Sequence, residues 1–401
     1  MSHTPMMPFK DALIAIEEAS ACIVGQEPTE LNNALNRILA VDIIAEINIP
    51  PSDNSAMDGY ALSVQDLEEG KPLAISQRIP AGIAPHSLQP KTCARIFTGA
   101  TIPEGADTVI MQENTEFDQQ GRIVFNHTAQ KGNNVRLKGQ DVKIGQRILT
   151  KGTRLQPQHI GMLASLGVYE VTCFKQLKVG VLTTGNELVP VETRILKAGK
   201  IYNSNGPMLI SLIQKLGHSA HSCLHVNDNI IETENALKSL SEDCDLILSS
   251  GGVSVGEEDH VKNAIEKNGS LSLWKVAIKP GKPLVFGDVF DTPFIGLPGN
   301  PSSSLVTFHW FARTAICAYS GEVIKHPKKF KVYPNFSRQK TISRDEFLRA
   351  SLTEENKAVP HPQQSSGALF ASCVCDGYLH IPANTSIDLN QRFDFYPFSS
   401  F

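Results

Sequence analysis

A multidomain fold, α/β joined to β, is predicted by three observations. From 177 to about 321 short apolar runs alternate with helical stretches, the signature of a three-layer α/β domain with a mostly parallel sheet. From about 51 to 140, strand-like runs lie between Gly and Pro turns, which marks a β-rich insert domain. Beyond 326 the chain is again short-stranded with charged turns and predicts a small C-terminal β-barrel-like domain. The flanks of the insert are expected to rejoin as one discontinuous, helical/β N-terminal domain. The boundaries drawn are therefore 1–50 with 141–176, then 51–140, 177–325 and 326–401.

Length and composition bound the function. A chain of 401 residues, 41% of them hydrophobic, can bury several cores. Lys and Arg number 37 against 41 Asp and Glu, and a net charge of -4 supplies no basic surplus of the kind nucleic-acid binding needs. The first residues lack a cationic segment followed by an apolar one, so no export signal is expected. The longest late apolar stretch, 305–319, contains His309 and Arg313 and is too short to span a bilayer. Eight cysteines without a C-x-x-C pair predict reduced thiols in the cytoplasm, with neither disulfides nor a zinc site.

Taken in order, residues 8–40 read as helical. Phe9, Leu13, Ile16 and Ala19 recur at helical spacing, and Pro28 suits the first turn of a second helix starting near Glu27. In the insert, 94–97 and 108–111 read as strands. A helix over 157–166 is closed by Gly167. In the α/β part, strands are expected at 178–182, 223–226, 246–250, 273–278, 284–286 and 294–297. Helices are expected at 207–216, 230–240, 261–267 and 301–319. Ligands of such sheets sit beyond the carboxyl ends of the strands, where adjacent loops converge. Three unusual loops meet that description: Thr183-Thr184-Gly185-Asn186-Glu187, Ser249-Ser250-Gly251-Gly252-Val253-Ser254 and Leu297-Pro298-Gly299-Asn300-Pro301.

The Gly251-Gly252 turn lacks the Lys-Ser/Thr ending of a P-loop and the spacing of a dinucleotide fold. Alone, it serves backbone geometry as readily as a ligand. Its neighbours favour the ligand. Glu187, Asp228 and Asp259 each follow a strand end or the Gly turn, so three carboxylates collect at one sheet edge, where a hard cation such as Mg²⁺ finds oxygen ligands shared with a substrate phosphate. Lys275 and Lys279 fall on one face of an extended segment, and Lys282 follows the Pro280-Gly281 turn. Basic residues on a Pro-fixed turn suit an oxyanion pocket, although solvated strand-end lysines are the commoner case. In the insert, 53–60, 98–100 and 134–141 are polar loops that bring Asp58, Thr98 and Asp141 to a surface.

Six segments then stand in one order: Asp53-Asn54-Ser55-Ala56-Met57-Asp58-Gly59-Tyr60, Thr98-Gly99-Ala100, Thr183-Thr184-Gly185-Asn186-Glu187-Leu188, Ser250-Gly251-Gly252-Val253-Ser254-Val255-Gly256, Ile278-Lys279-Pro280-Gly281-Lys282-Pro283 and Gly296-Leu297-Pro298-Gly299-Asn300-Pro301. Together they resemble the molybdopterin molybdenumtransferase family, the bacterial MoeA type, which is similar to the E domain of gephyrin. The resemblance implies an elongated four-domain homodimer in which the β-rich domain of one subunit faces the α/β domain of the other. It implies molybdenum insertion: adenylylated molybdopterin and molybdate give molybdenum cofactor and AMP, assisted by Mg²⁺.

Carried over by position, Glu187, Asp228 and Asp259 hold or orient metal and substrate. Lys275, Lys279 and Lys282 offset anionic charge, and Asp58, Thr98 and Asp141 reach across the dimer. Ser250, Gly251, Gly252 and Ser254 bind substrate, Pro298 and Pro301 shape the pocket floor, and Arg349 and Ser366 match positions that handle molybdate. The molybdopterin adenylyltransferase is an implied partner. The sequence departs from the family at Asn186 and Asn203, where relatives often carry Asp, in the loop 189–200, and at Cys375-Asp376-Gly377. Two rival readings are an adenylyltransferase acting on molybdopterin, which turns over ATP, and a gephyrin-like scaffold without catalysis.

Overall fold

The first apolar helix, Phe9–Ala19, buries the predicted Phe9, Leu13 and Ile16 along one stripe together with Ala12, while Ala19 at its end is exposed. In the computed structural model, which describes residues 6–68, 70–126, 128–253 and 260–401, this stripe joins the main α/β core. The Phe9 ring meets Trp310 edge-on at 5.1 Å and Phe347 at 5.2 Å. The second helix expected from Glu27 is instead the strand Gln26–Glu30, antiparallel to Glu170–Phe174. Thr29 is buried while Gln26, Pro28 and Glu30 stay exposed, and Pro28 is tolerated because this two-stranded ladder has open edges.

The chain leaves for the β-rich region and returns at one place. Ile49 and Val142 exchange backbone hydrogen bonds of 2.8 and 3.1 Å, and the Lys138 N–H donates to Asp53 Oδ1 at 2.7 Å. Ile43–Ile44 pairs with Arg147–Leu149 just beyond. Between them lies a four-stranded sheet in the order Ala74–Ile79, Thr92–Ile96, Gly59–Leu62 and Thr108–Met111. Alternate residues of these strands face two separate apolar clusters, one around Tyr60, Leu62 and Ile110, the other around Ala61, Ile96 and Val109.

The α/β sheet has six strands in the order Ser219–Val226, Lys178–Thr184, Leu246–Ser250, Thr292–Leu297, Pro283–Val289 and Gly269–Lys275. The first four run parallel, Pro283–Val289 runs against them, and Gly269–Lys275 pairs antiparallel with Pro283–Val289. Asn205–Lys215 and the long helical segment from Pro301 to Tyr319 cover one face. Ile230–Asp243 and His260–Asn268 cover the other, which gives the expected three layers. The long segment widens to a π-helical turn over Phe308–Ala312.

The extended stretch expected over 273–278 divides. Its first strand ends at Lys275, and Ile278–Lys279 pairs with Asp345–Glu346 in another sheet. Lys275 and Lys279 therefore do not share a face of one strand; the Lys279-Pro280-Gly281 turn carries the chain from one sheet to the other. That second sheet closes on itself: Asp345–Leu352, Lys357–Pro360, Phe330–Pro334, Phe393–Pro397 and Gly377–Ile381 form a five-stranded barrel, the last strand pairing with the first. Among the described residues no helix is long and apolar enough to cross a membrane, and all eight cysteines are free.

Candidate functional site

Register brings the three unusual loops together. Thr184 stands beside Val226, Thr183 beside Ser250, and Ser250 beside Leu297, so the chain turns out of four adjacent parallel strands at one edge. The Gly251 N–H donates to Leu297 O at 3.1 Å. Asn205, at the start of its helix, ties the edge from below: Nδ2 donates to Ser250 Oγ and to Gly299 O, both at 2.7 Å. Gly252 has a φ of 64°, and a Cβ there would lie 2.3 Å from Val261 Cγ2. Only glycine fits, because both the left-handed backbone and the adjacent helix exclude a side chain.

The result is a basin of about 880 Å³. Its α/β wall includes Glu187, Asp228, Ser250, Gly251, Gly252, Pro298 and Pro301. The turn from Lys279 to Pro283 supplies a second wall, and Arg344, Gln364, Ser365 and Ser366 from the barrel supply a third. Gly281 lets the second wall pack closely: at φ 113°, a Cβ would meet Thr307 Cγ2 at 2.6 Å. The barrel loop is pinned by the Ser302 N–H, which donates to Ser366 O at 2.9 Å.

Several expected residues meet here and others do not. Glu187, Asp228, Ser250, Gly251, Gly252, Lys279, Lys282, Pro298, Pro301 and Ser366 line the basin. Lys275 does not. Asp58, Thr98 and Asp141 lie on or beside the β-rich region and do not line it either. Ser254 and Asp259 fall outside the described residues. Arg349 sits behind the wall, 1% exposed, where Nη2 donates to Ser365 O at 3.1 Å and Gln363 O at 3.4 Å. Gln364 completes the brace, accepting from the Arg349 N–H at 3.1 Å and donating to Arg349 O at 2.8 Å. Burial pushes the Arg349 guanidinium below its ordinary pKa. In this structure Arg349 shapes the loop that carries Ser366.

Charge is distributed unevenly. Lys279 Nζ pairs at 3.1 Å with Glu346 Oε1, a carboxylate 1% exposed that Arg338 also holds. Lys282 is exposed and has no ion pair among the described residues. Asp228 and Asn186 are locked together: the Asn186 N–H donates to Asp228 Oδ2 and the Asp228 N–H to Asn186 Oδ1, each at 3.1 Å. Asn186 thus orients Asp228 without adding charge. Among the described residues no group of three His, Cys, Asp or Glu is placed to hold a metal. Two carboxylates, Glu187 and Asp228, line the basin, and one or two carboxylates are what Mg²⁺ commonly takes, its remaining positions going to water and substrate oxygens.

On the β-rich sheet, Asp58 Oδ1 accepts from the Thr98 N–H at 2.8 Å and the Thr98 hydroxyl at 2.7 Å. These bonds, the backbone one first, hold the Asp58 carboxyl below its ordinary pKa.

Sequence reasoning missed Asn205, Arg344 and Tyr202. Asn203-Ser204-Asn205 was visible as a polar run before a helix, but the bonds of Asn205 to Ser250 and Gly299 span 45 and 94 residues and leave no local trace.

Comparison with known proteins follows this division. The chain matches the MoeA N-terminal region (domain I and II) over residues 7–167, the probable molybdopterin binding domain over 180–317, and the MoeA C-terminal region (domain IV) over 335–398. It is 41% identical over 346 residues to the molybdopterin molybdenumtransferase of Haemophilus influenzae, covering 84% of this chain and 85% of that one. The Synechococcus elongatus molybdopterin molybdenumtransferase is 35% identical over 382 residues, covering 92% and 94%. A solved molybdopterin biosynthesis MoeA protein from Pyrococcus horikoshii superposes with a TM-score of 0.84 at 28% identity, over 98% of this chain and 100% of that one.

Proposed function

The chain belongs to the MoeA family and acts in molybdenum cofactor biosynthesis as a molybdopterin molybdenumtransferase; from that premise we propose that its basin takes adenylylated molybdopterin and molybdate and releases AMP. The observation that carries this reading is one basin lined by carboxylates, lysines and a glycine turn. Phosphate and molybdate are both anions, so a site for both supplies cations and N–H donors in one place. Lys282 and Arg344 face that charge directly. Lys279 shares its own charge with Glu346, which fixes its position. Lys275, outside the lining, has no part in this reading.

Glu187 and Asp228, with Asp259 following the Gly turn in sequence, would hold Mg²⁺; when bound, the ion offsets phosphate charge and polarises the phosphoanhydride. The residues themselves orient the substrate. Asp228 is held by Asn186, and Asn205 holds the Gly251 and Gly299 turns at fixed separation. The phosphoanhydride breaks as a water oxygen bonds to phosphorus and AMP leaves, and the two thiolates that receive molybdenum belong to the substrate and displace molybdate oxygen, which departs as water with the protons released.

The reading includes a homodimer in the cytoplasm, served by a molybdopterin adenylyltransferase. The exposed Asp58–Thr98 pair and Asp141 would then serve the basin of the second copy, and Ser366 on its braced loop would contact molybdate. The test supplies purified protein with adenylylated molybdopterin, Mg²⁺ and molybdate, without ATP. Molybdate-dependent AMP release together with active cofactor is expected. Turnover of molybdopterin only when ATP is added would transfer the chain to the adenylyltransferase reading, and a folded protein inert in both assays would favour a scaffold.

A further inference from the structure

Tyr202 is the single aromatic side chain among the described residues that line the basin. It is 41% exposed and makes no ring contact with another described aromatic. A tyrosine used only for packing normally buries its ring; this one leaves apolar area in water at the edge of a ligand site. Its place is fixed by its own loop. Tyr202 pairs with Val189, the Asn203 N–H donates to Val189 O at 2.9 Å, and the Tyr202 hydroxyl donates to Thr193 O at 2.9 Å. The hydroxyl is thereby engaged, and the ring is what remains to meet a ligand. Ile201, 53% exposed, and Leu188 line the basin beside it. The cations come from other elements, the Lys279–Lys282 turn and the barrel. The basin therefore offers an apolar, flat-faced region as well as a charged one.

We propose that Tyr202 is the stacking face for an amino-substituted fused pyrimidine ring, the chemistry that adenine and a pterin share. This rests on reading the basin as the site of adenylylated molybdopterin. Stacking on an aromatic side chain tolerates differences between such rings, because each presents a π-face. Tyr202 thus sets specificity for a ring where the lysines serve only anionic groups.

The test measures equilibrium binding of AMP and, separately, of neopterin to the full chain with Mg²⁺, for wild type, Tyr202→Phe and Tyr202→Ala. Tyr202→Ala is expected to weaken whichever ligand stacks by roughly tenfold, while Tyr202→Phe keeps near wild-type affinity and both variants keep the wild-type unfolding midpoint. The ligand that responds identifies the ring. Equal losses in Phe and Ala would show that the hydroxyl tether to Thr193 matters and the ring does not, which overturns the inference. So would wild-type binding that neither substitution changes. Wild-type protein that binds neither ligand would overturn the basin reading and this inference with it.

Discussion

The basin at the α/β sheet edge and the Asp58–Thr98 pair on the β-rich sheet are both made of polar loops, yet they are built differently. The basin is held from behind: Asn205 joins two of its turns, Glu346 fixes Lys279, and Arg349 braces the loop that carries Ser366. The Asp58–Thr98 pair is open at the surface, held by two local hydrogen bonds, and contributes nothing to the basin of its own chain. A cleft with fixed walls can select a ligand by itself. An open pair of polar groups gains a role in chemistry only when another surface is placed against it, and in the proposed dimer that surface is the second copy's basin.

The largest effect is expected inside the basin. Asp228→Asn keeps the shape of the side chain and removes its charge, and should lower molybdate-dependent AMP release by about 10- to 100-fold. Because Asp228 is exposed, stability should change by no more than about 0.5 kcal/mol. An active variant would remove Asp228 from the metal and substrate set. Next is Gly252→Ala, whose Cβ is directed at Val261 from a left-handed backbone. Urea unfolding should show a loss of about 1–3 kcal/mol, and an unchanged midpoint would mean the turn is not as tightly seated as its geometry indicates.

The smallest effect lies on the β-rich sheet. In Thr98→Val the hydroxyl bond to Asp58 is lost while the backbone N–H bond remains. The Asp58 pKa should therefore rise toward its ordinary value of 3.8 without reaching it, as carboxyl-carbon NMR titration would report. The sign follows from linkage. A depressed carboxylate contributes stability above its unfolded-state pKa and loses it as pH falls through the lower folded value. Thr98→Val should move that loss to higher pH. A pKa that does not move would show that the hydroxyl bond has no energetic weight.

Much of this arrangement was legible in the sequence. Alternating apolar runs and helical stripes gave the three layers, and the Gly turn and Leu297-Pro298-Gly299-Asn300-Pro301 marked the sheet edge because strand ends at a parallel sheet must turn together. Local pattern failed where distant partners decide. Pro28 suits a helix start and an open strand edge equally, and pairing with Glu170–Phe174 selects the strand. Lys275 and Lys279 alternate correctly for one face, but Ile278–Lys279 is drawn to the barrel strand. Arg349 is placed at a molybdate position by resemblance alone, and its burial behind Ser365 is set by contacts with 363–365 that local pattern does not show.

The contrast between the two regions is tested most directly by mixing. Asp58→Ala and Asp228→Asn chains are prepared separately, each impaired in AMP release, then dissociated, combined and reassociated. If Asp58 serves the basin of the second copy, a mixed dimer contains one basin with both groups intact, and the mixture should recover molybdate-dependent AMP release that neither variant shows alone. A mixture no more active than its components, with exchange of subunits verified, would contradict a basin completed by the partner and would confine catalysis to the residues that each chain brings to its own sheet edge.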